Sequence, residues 1–184
     1  LDDVLHAWQG LGYYARARNL YKCAQAVARD HGGAFPGYEE GLRTLPGIGA
    51  YTAAAVAAIA FGQATTPVDG NIERVTARLF RIAEALPKGK AEIALRARTL
   101  TPRDRPGDFA QAMMDLGSSL CSRSRFDCQA CPLNSHCGAF NAGKVKEFPH
   151  SKPKKASPKK SCHQLIIKCD DKVLMEKRPS SGIW

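Results

Sequence analysis

Several features are missing from this 184-residue sequence, and each absence narrows what it can be. No apolar run approaches the roughly 18 residues of a membrane-spanning helix, so no membrane partner is expected. No signal peptide opens the chain. An initiator Met is missing too: Leu1 leads straight into the amphipathic LDDVLHAW, and RPSSGIW at the other end stops in mid-pattern. The chain is therefore expected to be a fragment cut at both ends. Strand periodicity is absent from the first 143 residues, which sets all-β architectures aside for that part. A second CxxC pair is also lacking, so the cysteines that are present make a poor zinc ribbon.

Acidic residues are in short supply. The chain has 27 Lys+Arg against 17 Asp+Glu, a formal net charge of +10. The excess is uneven. Residues 1–143 carry 16 basic against 13 acidic side chains, and residues 144–184 carry 11 against 4. Most of it lies in KVKEFPHSKPKKASPKK, Lys144 to Lys160, a Lys/Pro/Ser-rich stretch without apolar period that reads as a solvated basic linker over 144–161. Charge of this kind suits a polyanion but does not by itself establish one.

What is present before the linker is helical. Apolar residues at 1, 4, 5 and 8 mark a first helix, and Leu20, Cys23, Ala24 and Val27 share one face of a second, closed by His31-Gly32-Gly33. YEEGLRTL is a short helix, Ala50 to Phe61 an alanine-rich one, and Asn71 to Ala85 repeats apolar residues at 72, 75, 79 and 82. Ala91 to Leu100 and Asp108 to Leu120 complete the set. After the linker, HQLIIKCDDKVLMEKRP predicts two short strands around a Cys-Asp-Asp-Lys turn. A lone hairpin is marginal in water, so residues 162–184 read as the start of a second, α/β-type domain.

Two short motifs carry chemistry. In Leu45-Pro46-Gly47-Ile48-Gly49 the two apolar residues anchor a turn, and the glycines permit angles and close approach that a Cβ forbids. The following helix starts at once, so its free N–H groups and positive dipole end are available to a phosphate, without reading any base. A plain glycine-capped corner is the alternative reading of the turn alone. Twenty residues after Gly49 comes Asp69, in Val-Asp-Gly-Asn. It is a good N-cap for the helix that follows. It can also face the groove beside the turn and stabilise an oxocarbenium-like sugar.

The third motif is CSRSRFDCQACPLNSHC. Cys121, Cys128, Cys131 and Cys137 are spaced C-x6-C-x2-C-x5-C, and an odd total of seven cysteines argues against a secreted disulfide framework. Four thiolates within 17 residues can wrap a metal centre. His136 lies inside the loop and is read as a surface residue. Cys23 is expected in the core, with Cys162 and Cys169 in or near the hairpin.

In combination these motifs resemble the MutY-type adenine DNA glycosylases of the helix-hairpin-helix, endonuclease III superfamily. The turn at Pro46, Gly47, Ile48 and Gly49 resembles their DNA-binding hairpin, and the cysteine spacing resembles their [4Fe–4S] loop. GLGYYARARNL, QAMMDLG and a basic tail leading to RPSSGIW are similar to the MutY branch in particular. The resemblance implies an all-α glycosylase domain over 1–143 with an iron–sulfur loop at 121–137, then the linker and the first hairpin of a truncated Nudix-like domain. It implies a monomeric, cytoplasmic, nucleoid-associated bacterial enzyme that removes adenine mispaired with 8-oxoguanine or G in duplex DNA.

Site roles follow from the same resemblance. Asp69 is the carboxylate that serves the sugar, with Asn71 beside it in the motif. Tyr51 stands where bifunctional relatives carry a Schiff-base lysine, which implies base removal without strand cleavage. Tyr13 matches the family's wedge tyrosine, set between bases beside the lesion. Arg16 and Arg18 reach phosphates or are simply solvated, and the sequence does not decide. The family's general acid is a Glu upstream of everything here, and Glu39, Glu40, Glu73, Glu84 and Glu92 fall in other segments. On that reading residues 1–184 alone are expected to be inactive.

Overall fold

The computed structural model describes residues 1–151, 157–159, 161–163 and 165–176. They divide into two compact units, Leu1–Lys152 and Pro153–Trp184. The first is built from eight helices among the described residues: α1 (Asp2–Ala7), α2 (Ala15–Asp30), α3 (Glu39–Arg43), α4 (Ala50–Phe61), α5 (Gly70–Phe80), α6 (Lys90–Leu100), α7 (Pro106–Ser118) and α8 (Gly138–Asn141). Single 3-10 turns lie at Asn134–His136 and Val145–Glu147.

α4 is the helix the turn feeds. Alanine is the best helix former and adds no bulk. Ala53, Ala54, Ala57 and Ala58 are buried, and Ala53 and Ala57 make one core cluster with Cys23 and Val27 of α2 and with Leu42 and Leu45 around α3. The helix ends at Gly62, which takes the left-handed conformation at φ 64° while the Gln63 N–H returns to the Ala57 carbonyl. A second cluster joins Ile72 and Val75 of α5 to Ala97 of α6 and Met113 of α7. Leu42, Ile72 and Ile93 are completely or almost completely buried, each worth about 1.5–3 kcal/mol of transfer free energy. α7 crosses both α4 and α5, and that crossing fixes the site.

Two boundaries differ from the sequence expectation. α5 stops at Phe80 rather than running to Ala85. Arg81 turns left-handed at φ 51°, its N–H and that of Ile82 returning to the last turn, and Ile82 then drops back into the core. The stretch from Lys144 to Ser151 is not solvated linker. Val145 and Phe148 are buried with Ala139 in a cluster that Phe126, Cys128, Cys137 and Phe140 surround, and the Leu86 N–H bonds to the His150 carbonyl. Lys152, Lys154, Lys155 and Lys160 lie outside the described residues.

In the second unit, β1 (Lys168–Cys169) pairs antiparallel with β2 (Lys172–Val173) around the Asp170-Asp171 turn, as the pattern predicts. RPSSGIW, from Arg178 on, lies outside the described residues.

Candidate functional site

The glycine turn opens the site. Leu45 is buried and Ile48 packs on the α2–α4 core, so the two apolar anchors hold the turn from below. Pro46 is half-buried, and Gly47 and Gly49 are exposed. Gly47 has φ 77°, and a methyl group there would lie 2.5 Å from the Asn19 Cβ on α2. Both conformation and space therefore require glycine. Gly47→Ala should lower stability by about 1–3 kcal/mol, read as a shift in urea midpoint, whereas Gly49→Ala, with open space and an extended backbone, should shift it far less. No side chain caps α4. Its hydrogen-bond ladder begins with the Ala53 N–H donating to the Gly49 carbonyl, which leaves the N–H groups of the first turn for an acceptor from outside.

Asp69 is half-buried at the N-cap of α5. Its Oδ1 accepts from the Asn71 and Ile72 backbone N–H groups at 2.9 and 2.8 Å, and Oδ2 accepts from the Asn71 Nδ2 at 3.0 Å. Three donors hold the carboxylate in one orientation.

Asn71 extends that arrangement. Its Oδ1 accepts from Arg74 Nη2 at 2.9 Å, and Arg74 Nε donates to the Cys121 carbonyl at 2.7 Å. The same guanidinium also donates to the Gly117 carbonyl. A line of hydrogen bonds thus runs from Asp69 through Asn71 and Arg74 to the head of the cysteine loop. Burial, then the neighbouring Arg78, push Arg74 below the ordinary arginine value, while Cys121 and Asp69 act the other way. Arginine stays charged regardless.

Arg78, one turn further on, is 2% exposed. It donates to the carbonyls of Cys121, Ser122, Arg123 and Phe148, and its guanidinium stands 3.2 Å from the Cys121 Sγ and 5.2 Å from the Phe126 ring centroid. Sequence reading passed over both arginines. The available signal was two arginines at i and i+4 on a helix whose other faces were assigned.

All four loop cysteines are free and half-buried. Cys137 Sγ lies 3.6 Å from the Arg78 carbonyl oxygen. Burial and the three other loop thiols, Cys121 first, raise the Cys128 thiol, against the Arg78 charge. Among the described residues no group of three or more His, Cys, Asp or Glu side chains converges closely enough to hold a metal ion. In type and number, though not in their spacing in this structure, the four thiols suit a thiolate-ligated centre.

Tyr51 lies in the first turn of α4, and its hydroxyl approaches Met114 Sδ of α7 at 3.8 Å. It shares α7 with Asp69's helix but makes no hydrogen bond to Asp69 among the described residues. Tyr13 stands apart from the core: its side is 83% exposed, just ahead of α2. Cys23 is buried as expected.

Residues 1–102 match the family described as HhH-GPD superfamily base excision DNA repair protein. The chain is 37% identical over 186 residues to the adenine DNA glycosylase of Buchnera aphidicola, covering 100% of this chain and 53% of that protein. It therefore spans about half the length of that relative, and 26% of the length of the human adenine DNA glycosylase, to which it is 45% identical over 143 residues. Among solved structures it is similar to a thermostable thymine-DNA glycosylase, with TM-score 0.70 and 30% identity, over 77% of this chain and 66% of that one. A non-covalent endonuclease III–DNA complex is also similar, with TM-score 0.64 and 25% identity over the same shares.

Proposed function

Because this chain belongs to the HhH-GPD superfamily of base excision DNA repair proteins, we propose that the whole protein hydrolyses the N-glycosidic bond of adenine mispaired with 8-oxoguanine or G in duplex DNA. The observation that carries this reading is Asp69. A half-buried carboxylate, fixed by three donors at the start of α5, is suited to a reaction that makes positive charge on a sugar. As the bond from the deoxyribose carbon to adenine breaks, that carbon and the ring oxygen become cationic. Asp69 stabilises them, water adds to the carbon, and adenine leaves with a proton. The relatives' names support adenine as the base.

DNA is held at three places on this reading. The Gly47–Gly49 turn and the first turn of α4 receive a phosphate. Tyr13 fills the gap that the flipped adenine leaves. The basic residues beyond Lys144 add affinity that falls with salt.

Cys121, Cys128, Cys131 and Cys137 would hold a [4Fe–4S] cluster, which supplies a four-point clamp on the loop that Arg78 and Arg74 grip from α5. Purified protein should be yellow-brown with about four irons per chain. Stoichiometric zinc without broad visible absorbance overturns the assignment.

The reaction is tested by single-turnover assay of the active protein on a duplex holding A opposite 8-oxoguanine. The expected product is an abasic site in an unbroken strand, since Tyr51 offers no amine for a Schiff base. Tyr51→Lys should acquire measurable strand cleavage. Borohydride trapping of the unmodified protein as efficiently as a bifunctional lyase contradicts the reading.

A further inference from the structure

The loop between α1 and α2 is wound more tightly than its length requires. Gly10 and Gly12 have φ of 86° and 64°, and Tyr13 follows at 47°, a left-handed backbone that a tyrosine seldom takes. Strain of this kind persists only where the surroundings over-determine it. Here the Trp8 indole Nε1 donates to the Gly12 carbonyl at 3.0 Å, and the Arg16 N–H donates to the Tyr13 carbonyl at 2.8 Å. The outcome is a large aromatic ring held 83% exposed on a fixed backbone.

The ring itself is also held. The Arg16 guanidinium carbon lies 5.5 Å from the Tyr13 ring centroid and 5.5 Å from that of Trp8. One cation is shared by two aromatic rings, and Trp8 is half-buried at the end of α1. Arg16 thus ties the exposed ring to an anchored one. Arg18, two residues on, has no such contact among the described residues.

We propose that Arg16 is a positioning residue: by clamping Tyr13 against Trp8 it keeps the ring set for insertion into duplex DNA and so sets the discrimination between mispaired and paired sites. The inference rests on the reading of Tyr13 given under the proposed function. Opening the stack is easiest at a mispair. A ring already in place turns that difference into affinity, whereas a free ring loses rotamer entropy on insertion. A mere phosphate contact would strengthen binding to every duplex alike.

The test measures the ratio of affinities for A:8-oxoguanine and A:T duplexes at fixed salt. Arg16→Ala should reduce that ratio roughly 5- to 30-fold, the worth of two exposed cation–π contacts, and leave A:T affinity within a few-fold. Arg16→Lys, which keeps a cation over the rings, should recover part of it. In a Tyr13→Ala background Arg16→Ala should add nothing. Equal losses on both duplexes, or additive losses in the double variant, overturn the proposal. A second measurement needs no DNA: with 3-fluorotyrosine at Tyr13, Arg16→Ala should shift and sharpen its fluorine resonance, and an unchanged resonance also overturns the clamp. If the unmodified protein shows no preference between the duplexes, the proposed function fails, and the fluorine comparison still decides whether Arg16 holds Tyr13.

Discussion

In the whole protein, Asp69→Asn is expected to lower adenine excision by at least about 10²–10³-fold in single-turnover assays, while duplex affinity stays within a few-fold. The substitution isolates charge from architecture. Asparagine caps helices about as well as aspartate, and its Oδ1 can still accept from the Asn71 and Ile72 N–H groups that Asp69 uses. Folding stability should therefore change by less than about 1 kcal/mol. One contact does change: an amide nitrogen would replace Oδ2 and face the Asn71 Nδ2, donor against donor. Asn71 cannot turn its amide without losing the bond that its Oδ1 accepts from Arg74. Asp69→Ala is the control, losing the cap as well at a cost of about 1 kcal/mol. A near-normal excision rate in the asparagine variant would show that the carboxylate charge is not what the sugar needs.

Arg78→Ala is expected to destabilise the helical unit by about 3–5 kcal/mol, because it breaks a buried charged network. The side chain is 2% exposed, and its acceptors are four main-chain carbonyls spread over Cys121 to Arg123 and at Phe148. Each carbonyl that loses its donor carries its own desolvation cost. The damage should be local in origin. Amide hydrogen exchange should rise first in residues 121–126 and 145–150, with α2 and α3 protected until global unfolding. Arg78→Lys should restore only part of the stability, since an ammonium is a compact donor and cannot reach acceptors on both sides as a planar fork does. Unchanged urea midpoints for both variants would mean that the loop holds itself.

These two residues also show how far the sequence could be read. Asp69 was legible because a helix N-cap and a glycine turn leave local signatures within a few residues. α4 was legible with its ends, since alanines bounded by Gly49 and Gly62 announce both. Arg78 was not. Its partners are carbonyls more than 40 positions away, and main-chain acceptors leave no trace in residue identity. The early stop of α5 was hidden for a related reason: an arginine, not a glycine, takes the left-handed position at 81. Val145 and Phe148 were masked by the lysines around them, because a burial pattern of two apolar residues is too short to show a period. The hairpin of the second unit was read correctly from its turn. The MutY-like motifs named the family, which residues 1–102 match, but spacing alone did not reveal that Asn71 and Arg74 join Asp69 to the cysteine loop.

α7 has one more property, and it is mechanical. It meets α4 at Gly107, where an added methyl would lie 2.9 Å from the Ala58 carbonyl oxygen, and it meets α5 at Gly117, where the methyl would lie 2.6 Å from the Asn71 Cβ. At both crossings there is no long side chain to act as a cushion. Backbone rests almost on backbone, and a close-packed interior compresses little. The helix therefore behaves as a stiff strut and not as a spring, holding the start of α5 at a fixed distance from the end of α4. The spacing between the body of α4 and the start of α5 is thus set by the width of two glycines.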